Sequence, residues 1–76
     1  MKIITRSYTE YYKDEAEGRW YYRILENANF VKIGKYSDGR NKYARLDEEF
    51  NIIPNEEYYQ VRTLITKELV MRKVRL

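Results

Sequence analysis

Cysteine and histidine are both absent from this 76-residue chain. Without cysteine there are no disulfides, no thiolate metal sites and no thiol nucleophile. Without histidine the usual general base near neutral pH and the commonest metal-binding imidazole are missing. The serines are Ser7 and Ser37, and neither sits in a G-x-S-x-G nucleophile elbow. No phosphate-binding glycine loop, dinucleotide fingerprint or calcium-loop spacing occurs. Asp38-Gly39 has the look of an ion loop only superficially and reads as a hairpin turn. The paired carboxylates Glu48-Glu49 and Glu56-Glu57 are the remaining acid–base or cation-binding candidates. A solvated acidic loop explains them more simply. The expectation is a non-enzymatic protein with no cofactor and no metal.

Long apolar runs are missing too. None approaches the roughly 20 residues that a membrane-spanning helix needs. The opening residues, MKIITRSYTEYYKDE, lack the apolar stretch of a secretory signal. Lack of cysteine fits a reducing compartment. These absences point to one small soluble cytoplasmic domain over residues 1–76, with no membrane contact.

What is abundant is tyrosine. The chain has nine, and six of them form the pairs Tyr11-Tyr12, Tyr21-Tyr22 and Tyr58-Tyr59. Adjacent residues on a strand point to opposite faces, so each pair sends one ring inward and one outward. Tyrosine suits this, having an apolar body and a polar tip. A chain of this length buries only roughly 60–65% of the surface its unfolded form exposes. Nine tyrosines and one tryptophan exceed what so small a core can hide.

Charge is mildly basic, +3 from 15 basic and 12 acidic residues, but it is segregated. Residues 47–57 carry Asp47, Glu48, Glu49, Glu56 and Glu57 with no base. Residues 60–76 carry Arg62, Lys67, Arg72, Lys73 and Arg75 against Glu68. Such polarity serves solubility and can steer a charged partner.

Three glycines and one proline punctuate the chain. Lys2 to Tyr12 is rich in β-formers and reads as a strand, followed by the polar loop KDEAEG. A rival reading caps a short helix at Thr9 and ends it at Gly18. RWYYRIL, residues 19–25, is the strongest strand signal. A turn at Asn27-Ala28, a strand from Phe30 to Tyr36, a turn at Asp38-Gly39 and a strand from Asn41 to Leu46 then form a meander. Its register gathers Trp20, Tyr22, Ile24, Val31, Ile33, Ala44 and Leu46 on one apolar face. The opposite face carries Tyr21, Arg23, Lys32, Tyr36, Tyr43 and Arg45, with Leu25 and Phe30 near the turn. Asp47 to Glu57 reads as a covering loop or a single 3₁₀ turn whose Phe50, Ile52, Ile53 and Pro54 plug the end of the sheet.

Residues 58–76 admit two readings. As strands, YYQVRTLI and LVMRKVRL alternate around a Thr66-Lys67 turn. As a helix over residues 56–74, Asn55 is the N-cap, the acids fall in the first turn and the bases in the last. Tyr59, Val70 and Val74 lie off the helical face, which favours strands. The fold class is therefore mainly β, an antiparallel meander of four to six strands as a curled sheet or small barrel. The alternative is a four-stranded sheet with a C-terminal helix.

Functionally, the interleaved set Tyr21, Arg23, Lys32, Tyr36, Tyr43 and Arg45 is the candidate partner-binding surface. Interface hot spots favour Trp, Tyr and Arg. Bases also stack on rings while cations meet phosphates, so single-stranded nucleic acid is an alternative partner. A plain β-surface with Lys and Arg stems lying over the rings accounts for it equally well. Arg72, Lys73 and Arg75 form a secondary basic cluster that suits phosphate or simple solvation. The leading expectation is a module that inhibits or modulates a larger protein by occlusion. A homodimer that completes the small core is the third reading. In size and style the chain resembles the accessory proteins of phages and other mobile elements, with no motif to carry a family match.

Overall fold

Five strands account for most of the chain: β1 (Ile3–Asp14), β2 (Arg19–Lys35), β3 (Asn41–Leu46), β4 (Tyr58–Arg62) and β5 (Leu69–Lys73). The computed structural model describes residues 2–64 and 67–74, with all their side chains except those of Tyr11 and Tyr22. No described residue is helical. The strands close into a barrel in chain order. Successive strands pair antiparallel. An odd number of up-and-down strands leaves the first and last running the same way. The closing β1–β5 pair is accordingly parallel, through Tyr8 with Met71 and Thr9 with Arg72. The mainly β reading holds, and the helix alternative over residues 56–74 is replaced by β4 and β5.

The expected turn at Asn27-Ala28 does not form. β2 runs unbroken through it, because β1 is long enough to pair with both halves of β2. The asparagines that read as turn formers are held across the sheet instead. The Thr5 hydroxyl donates to Asn29 Oδ1 at 2.8 Å and the Ser7 hydroxyl to Asn27 Oδ1 at 3.0 Å. The register between β1 and β2 shifts at Ser7, a bulge of the kind that bends a ribbon and increases its twist.

Two glycines serve the turns that do form. In the β1–β2 turn Gly18 sits at φ 70°, its N–H donating to the Asp14 carbonyl at 2.7 Å, while the Asp14 carboxylate accepts from the Ala16 N–H. In the β2–β3 turn the Gly39 N–H donates to the Tyr36 carbonyl at 3.0 Å, with Gly39 itself at φ 91°. That centres the turn on Ser37-Asp38, one residue earlier than expected, and leaves Gly39 as the positive-φ residue of a longer hairpin loop. Val31 rather than Ile33 consequently faces Ala44, and Ile33 falls at a register shift. The displacement at Val31 is two residues, which preserves parity. Val31, Ala44 and Leu46 therefore still bury together.

The main core was not the expected apolar face. Phe30, Tyr43, Tyr58 and Met71 pack together with Ile4, Tyr8 and Ala28 against them, so all five strands contribute. Tyr8, Phe30 and Tyr58 meet edge-to-face at centroid distances of 5.1–6.1 Å. Such pairs add about 0.5–1.5 kcal/mol each beyond the area they bury. Trp20, Ile24 and Ile33 are exposed. The Tyr22 side chain, expected beside them, lies outside the described residues, as do Thr66 of the expected turn and Arg75.

After β3 the chain folds back. The Asp47 carboxylate accepts from the Glu49 and Asn51 N–H groups, Ile52 bridges to Leu46, and the Ile53 N–H donates to the Arg45 carbonyl at 2.9 Å. Phe50 and Ile52 remain half-exposed, so this segment flanks the sheet end without plugging it.

Candidate functional site

Among the described residues, β1 meets β5 at Tyr8 and Thr9, and β2 meets β3 from Asn29 onward. Among the described residues, Glu10–Asp14 and Arg19–Arg23 therefore pair with nothing but each other. They form a two-stranded ribbon projecting from the barrel, while Ile24 and Leu25 lie opposite Thr9 and Tyr8 where the ribbon joins the barrel. The molecule's extents, 42 × 27 × 25 Å, fit such an elongated shape.

The pairing sorts the ribbon into two faces. On one, Glu10 opposes Arg23, Tyr12 opposes Tyr21 and Asp14 opposes Arg19. The Tyr12 and Tyr21 rings stack at 5.7 Å with 25° between planes. The Arg23 guanidinium lies 5.5 Å from the Tyr12 centroid and 3.5 Å from the Glu10 carboxylate. The Tyr21 hydroxyl donates to Glu17 at 2.8 Å, and this bond, which its phenolate would lose, raises the Tyr21 pKa. The other face carries Lys13 opposite Trp20, with Thr9 opposite Ile24. Trp20 is 54% exposed, Tyr12 46%, Ile24 38% and Tyr21 36%. Four large apolar side chains thus stand in water on one element, two on each face. That concentration, rather than any single exposed residue, is the unusual feature of the surface.

A second aromatic group lies elsewhere, at the turn between β2 and β3. Tyr36 and Tyr59 meet edge-to-face at 6.4 Å. Arg40 sits 4.4 Å from the Tyr59 centroid, and Lys42 5.0 Å from that of Tyr36. Both cations are answered. Arg40 Nε is 2.6 Å from Asp38, and Lys42 is 4.0 Å from Glu57, which also accepts from the Tyr36 hydroxyl at 3.2 Å. Burial and that hydrogen bond raise the Tyr36 pKa. The backbone N–H of Arg40, with its guanidinium, holds the Asp38 carboxyl below its usual range. A phosphate here would have to compete with carboxylates already in place.

A third group is structural. Glu56 accepts from Arg45 at 3.2 Å, Lys73 at 3.1 Å and the Tyr58 hydroxyl at 3.1 Å. Burial and the Glu56 charge push the Tyr58 phenol up to about 12. Beside it is a cavity of about 30 Å³, the room of one water, bordered by Thr9, Arg45, Glu56 and Lys73. The described residues bring together no group of three acidic side chains that could hold a metal ion.

The expected binding face is thus divided. Tyr21 and Arg23 belong to the ribbon, and Tyr36 to the second group. Lys32 is exposed on β2. Tyr43 is buried in the core, and Arg45 is half-buried on Glu56 with its guanidinium 5.3 Å from the Tyr8 centroid. Arg72 is half-buried with its Nε shut off from solvent, and Lys73 is committed to Glu56, so the two do not form an open basic patch. The sequence reading missed Tyr12 and Trp20 as surface groups. The available signal was the match of EYYKD to RWYYR around a glycine-terminated loop, which makes a hairpin of residues 10–23. Comparison of the chain with protein-family models, curated proteins and solved structures returns no match.

Proposed function

We propose that this chain is a non-enzymatic binding module that occludes a surface of a larger protein, with the β1–β2 ribbon as its contact element. The observation that carries the reading is the joint exposure of Tyr12, Trp20, Tyr21 and Ile24 on a ribbon none of whose described side chains belongs to the buried barrel core. Tyrosine and tryptophan supply large contact area at low rotamer cost, and an adjacent arginine completes the usual hot-spot set. Arg23 is that arginine. Its pairing with Glu10 is exposed and weak, so it exchanges readily for a partner carboxylate.

Single-stranded nucleic acid is the less favoured partner. Its natural platform is the Tyr36, Tyr59, Arg40 and Lys42 group, where Asp38 and Glu57 already neutralise the cations.

Affinity capture from a lysate of the source cell, with and without nuclease, tests this. A nuclease-resistant protein should be retained by the wild type and lost by a folded Tyr12→Ser/Tyr21→Ser variant. Retention by that variant would refute the ribbon as the contact element. Loss of all captured material on nuclease treatment would favour nucleic acid instead.

A further inference from the structure

The ribbon has two edges, and they differ. Among the described residues, neither the β1 edge at Glu10–Asp14 nor the β2 edge at Arg19–Leu25 has a neighbouring strand. An open strand edge is a template for another strand, and natural proteins guard such edges with charge. The β1 edge is guarded: Glu10, Lys13 and Asp14 are three of its five residues. The β2 edge, RWYYRIL, carries only Arg19 and Arg23 among aromatic and aliphatic residues.

We propose that the β2 edge pairs antiparallel with the same edge of a second copy of this chain, across a twofold axis at position 22. In an antiparallel pair, opposed residues project on the same face. The two copies present the same faces to each other, so the axis must pass through a residue opposing itself. Charge then selects among the registers. An axis at Tyr21 sets Arg19 against Arg23 twice, and an axis at Arg23 sets that arginine against itself. Like charges directly opposed are destabilising. An axis at Trp20 leaves only three strand residues in the pair. An axis at Ile24 sets Arg19 against Asn29, where the outer edge of β2 is already paired with Leu46 of β3.

The axis at position 22 has none of these faults. It sets Trp20 against Ile24 of the partner copy, Tyr21 against Arg23 and Arg19 against Leu25. An aromatic–β-branched pair and a cation–aromatic pair are both favourable cross-strand combinations, and the symmetry makes each twice. The exposed area of Trp20 and Ile24 is covered on one face. On the other, the Tyr12–Tyr21 stacks of both copies join into one four-stranded platform. The pairing is isologous and closes on itself, so it stops at two chains. It goes beyond the binding role proposed above and does not depend on it, because it is read on the purified chain alone.

The test is the mass of the pure protein by light scattering across concentration, for the wild type and for two variants at a solvent-exposed site. Tyr21→Lys opposes Arg23 of the partner with like charge twice and should weaken the dimer at least about tenfold, the fold-change of ~1.4 kcal/mol. Tyr21→Glu opposes it with opposite charge twice and should retain or tighten the dimer, with the gain lost in high salt. Because the chain has no cysteine, Tyr22→Cys places a single thiol on the axis. With dissolved oxygen as the two-electron oxidant, two such thiols should lose their protons and join as an intermolecular disulfide, while Lys13→Cys on the guarded edge should not. A wild type of single-chain mass up to millimolar concentration would overturn the proposal. So would equal weakening by Tyr21→Lys and Tyr21→Glu, or equal cross-linking at positions 13 and 22.

Discussion

Glu56 ties the barrel strands together through a single side chain. Its carboxylate takes hydrogen bonds from Arg45 on β3, Tyr58 on β4 and Lys73 on β5, joining three strands. Burial works to raise its pKa. The hydrogen bonds from Lys73 and Tyr58 and the charges of Lys73 and Arg45 outweigh burial, and the pKa falls below its ordinary 4.5. A carboxyl with a depressed folded pKa contributes stability that is present above the unfolded value and lost as pH falls through the folded one. Glu56→Gln keeps the shape but gives up the charge. It should cost about 1–3 kcal/mol at pH 7, the usual range for a hydrogen-bonded charge that is partly buried. Urea unfolding of wild type and variant at several pH values checks this. The gap between them should narrow once pH drops below 4.5, and a gap constant down to pH 2 would contradict the assignment. No charge pattern in the sequence singled out Glu56, since its partners lie eleven and seventeen residues away.

Among the elements, the ribbon and the barrel should differ in stability. Among the described residues the ribbon strands pair with each other alone, and a two-stranded ribbon is marginal in water. Its Tyr12–Tyr21 stack and exposed Arg23–Glu10 pair add little against that. Val31 and Ala44, by contrast, are cross-strand partners and both buried. Backbone amides at Tyr12 and Tyr21 should therefore exchange with solvent through local opening, about 10–100-fold faster than those at Val31 and Ala44 in dilute protein. Hydrogen exchange read by NMR decides it, and uniform protection would show that ribbon and barrel open together. If two ribbons pair through β2, ribbon protection alone should rise with concentration.

The same contrast explains what was legible in the sequence. Strand identity was, because β-branched and aromatic residues recur at period 2 through RWYYRIL and YYQVR. The pairing partner of each strand was not. Asn27 and Asn29 carry the composition of a turn, and only the reach of β1 across both halves of β2 shows that their side chains bond across the sheet. With that turn misplaced, Trp20 and Ile24 were assigned to a core they never reach. Phe30 and Tyr43, which do reach it, were assigned to the surface.

At the scale of the whole molecule, stability rests on the seam that closes the barrel. β1 and β5 are joined at two positions, Tyr8 with Met71 and Thr9 with Arg72, more than sixty residues apart in sequence. Closing so long a loop carries an entropy cost that local pairing does not offset. Met71 is the residue best placed to meet it. It is fully buried among Phe30, Tyr43 and Tyr58, and β5 there is flanked by Tyr8 of β1 on one side and Gln60 of β4 on the other. Met71→Ala removes side-chain contacts to the barrel core at one of the two described positions where first and last strands meet. The expected cost is about 2–5 kcal/mol. At roughly 0.05–0.15 kcal/mol per residue, a chain of this length holds only about 4–11 kcal/mol in total, so the variant should sit near the edge of folding. Leu64→Ala, at a side chain 96% exposed, should stay within about 0.5 kcal/mol of wild type. Denaturant unfolding followed by far-UV circular dichroism is the suitable measurement, because the half-exposed Trp20 on the ribbon reports poorly on the barrel. A Met71→Ala variant that unfolds within 1 kcal/mol of wild type, about a fivefold change in the equilibrium, would show that the barrel is held by its antiparallel strands without the seam.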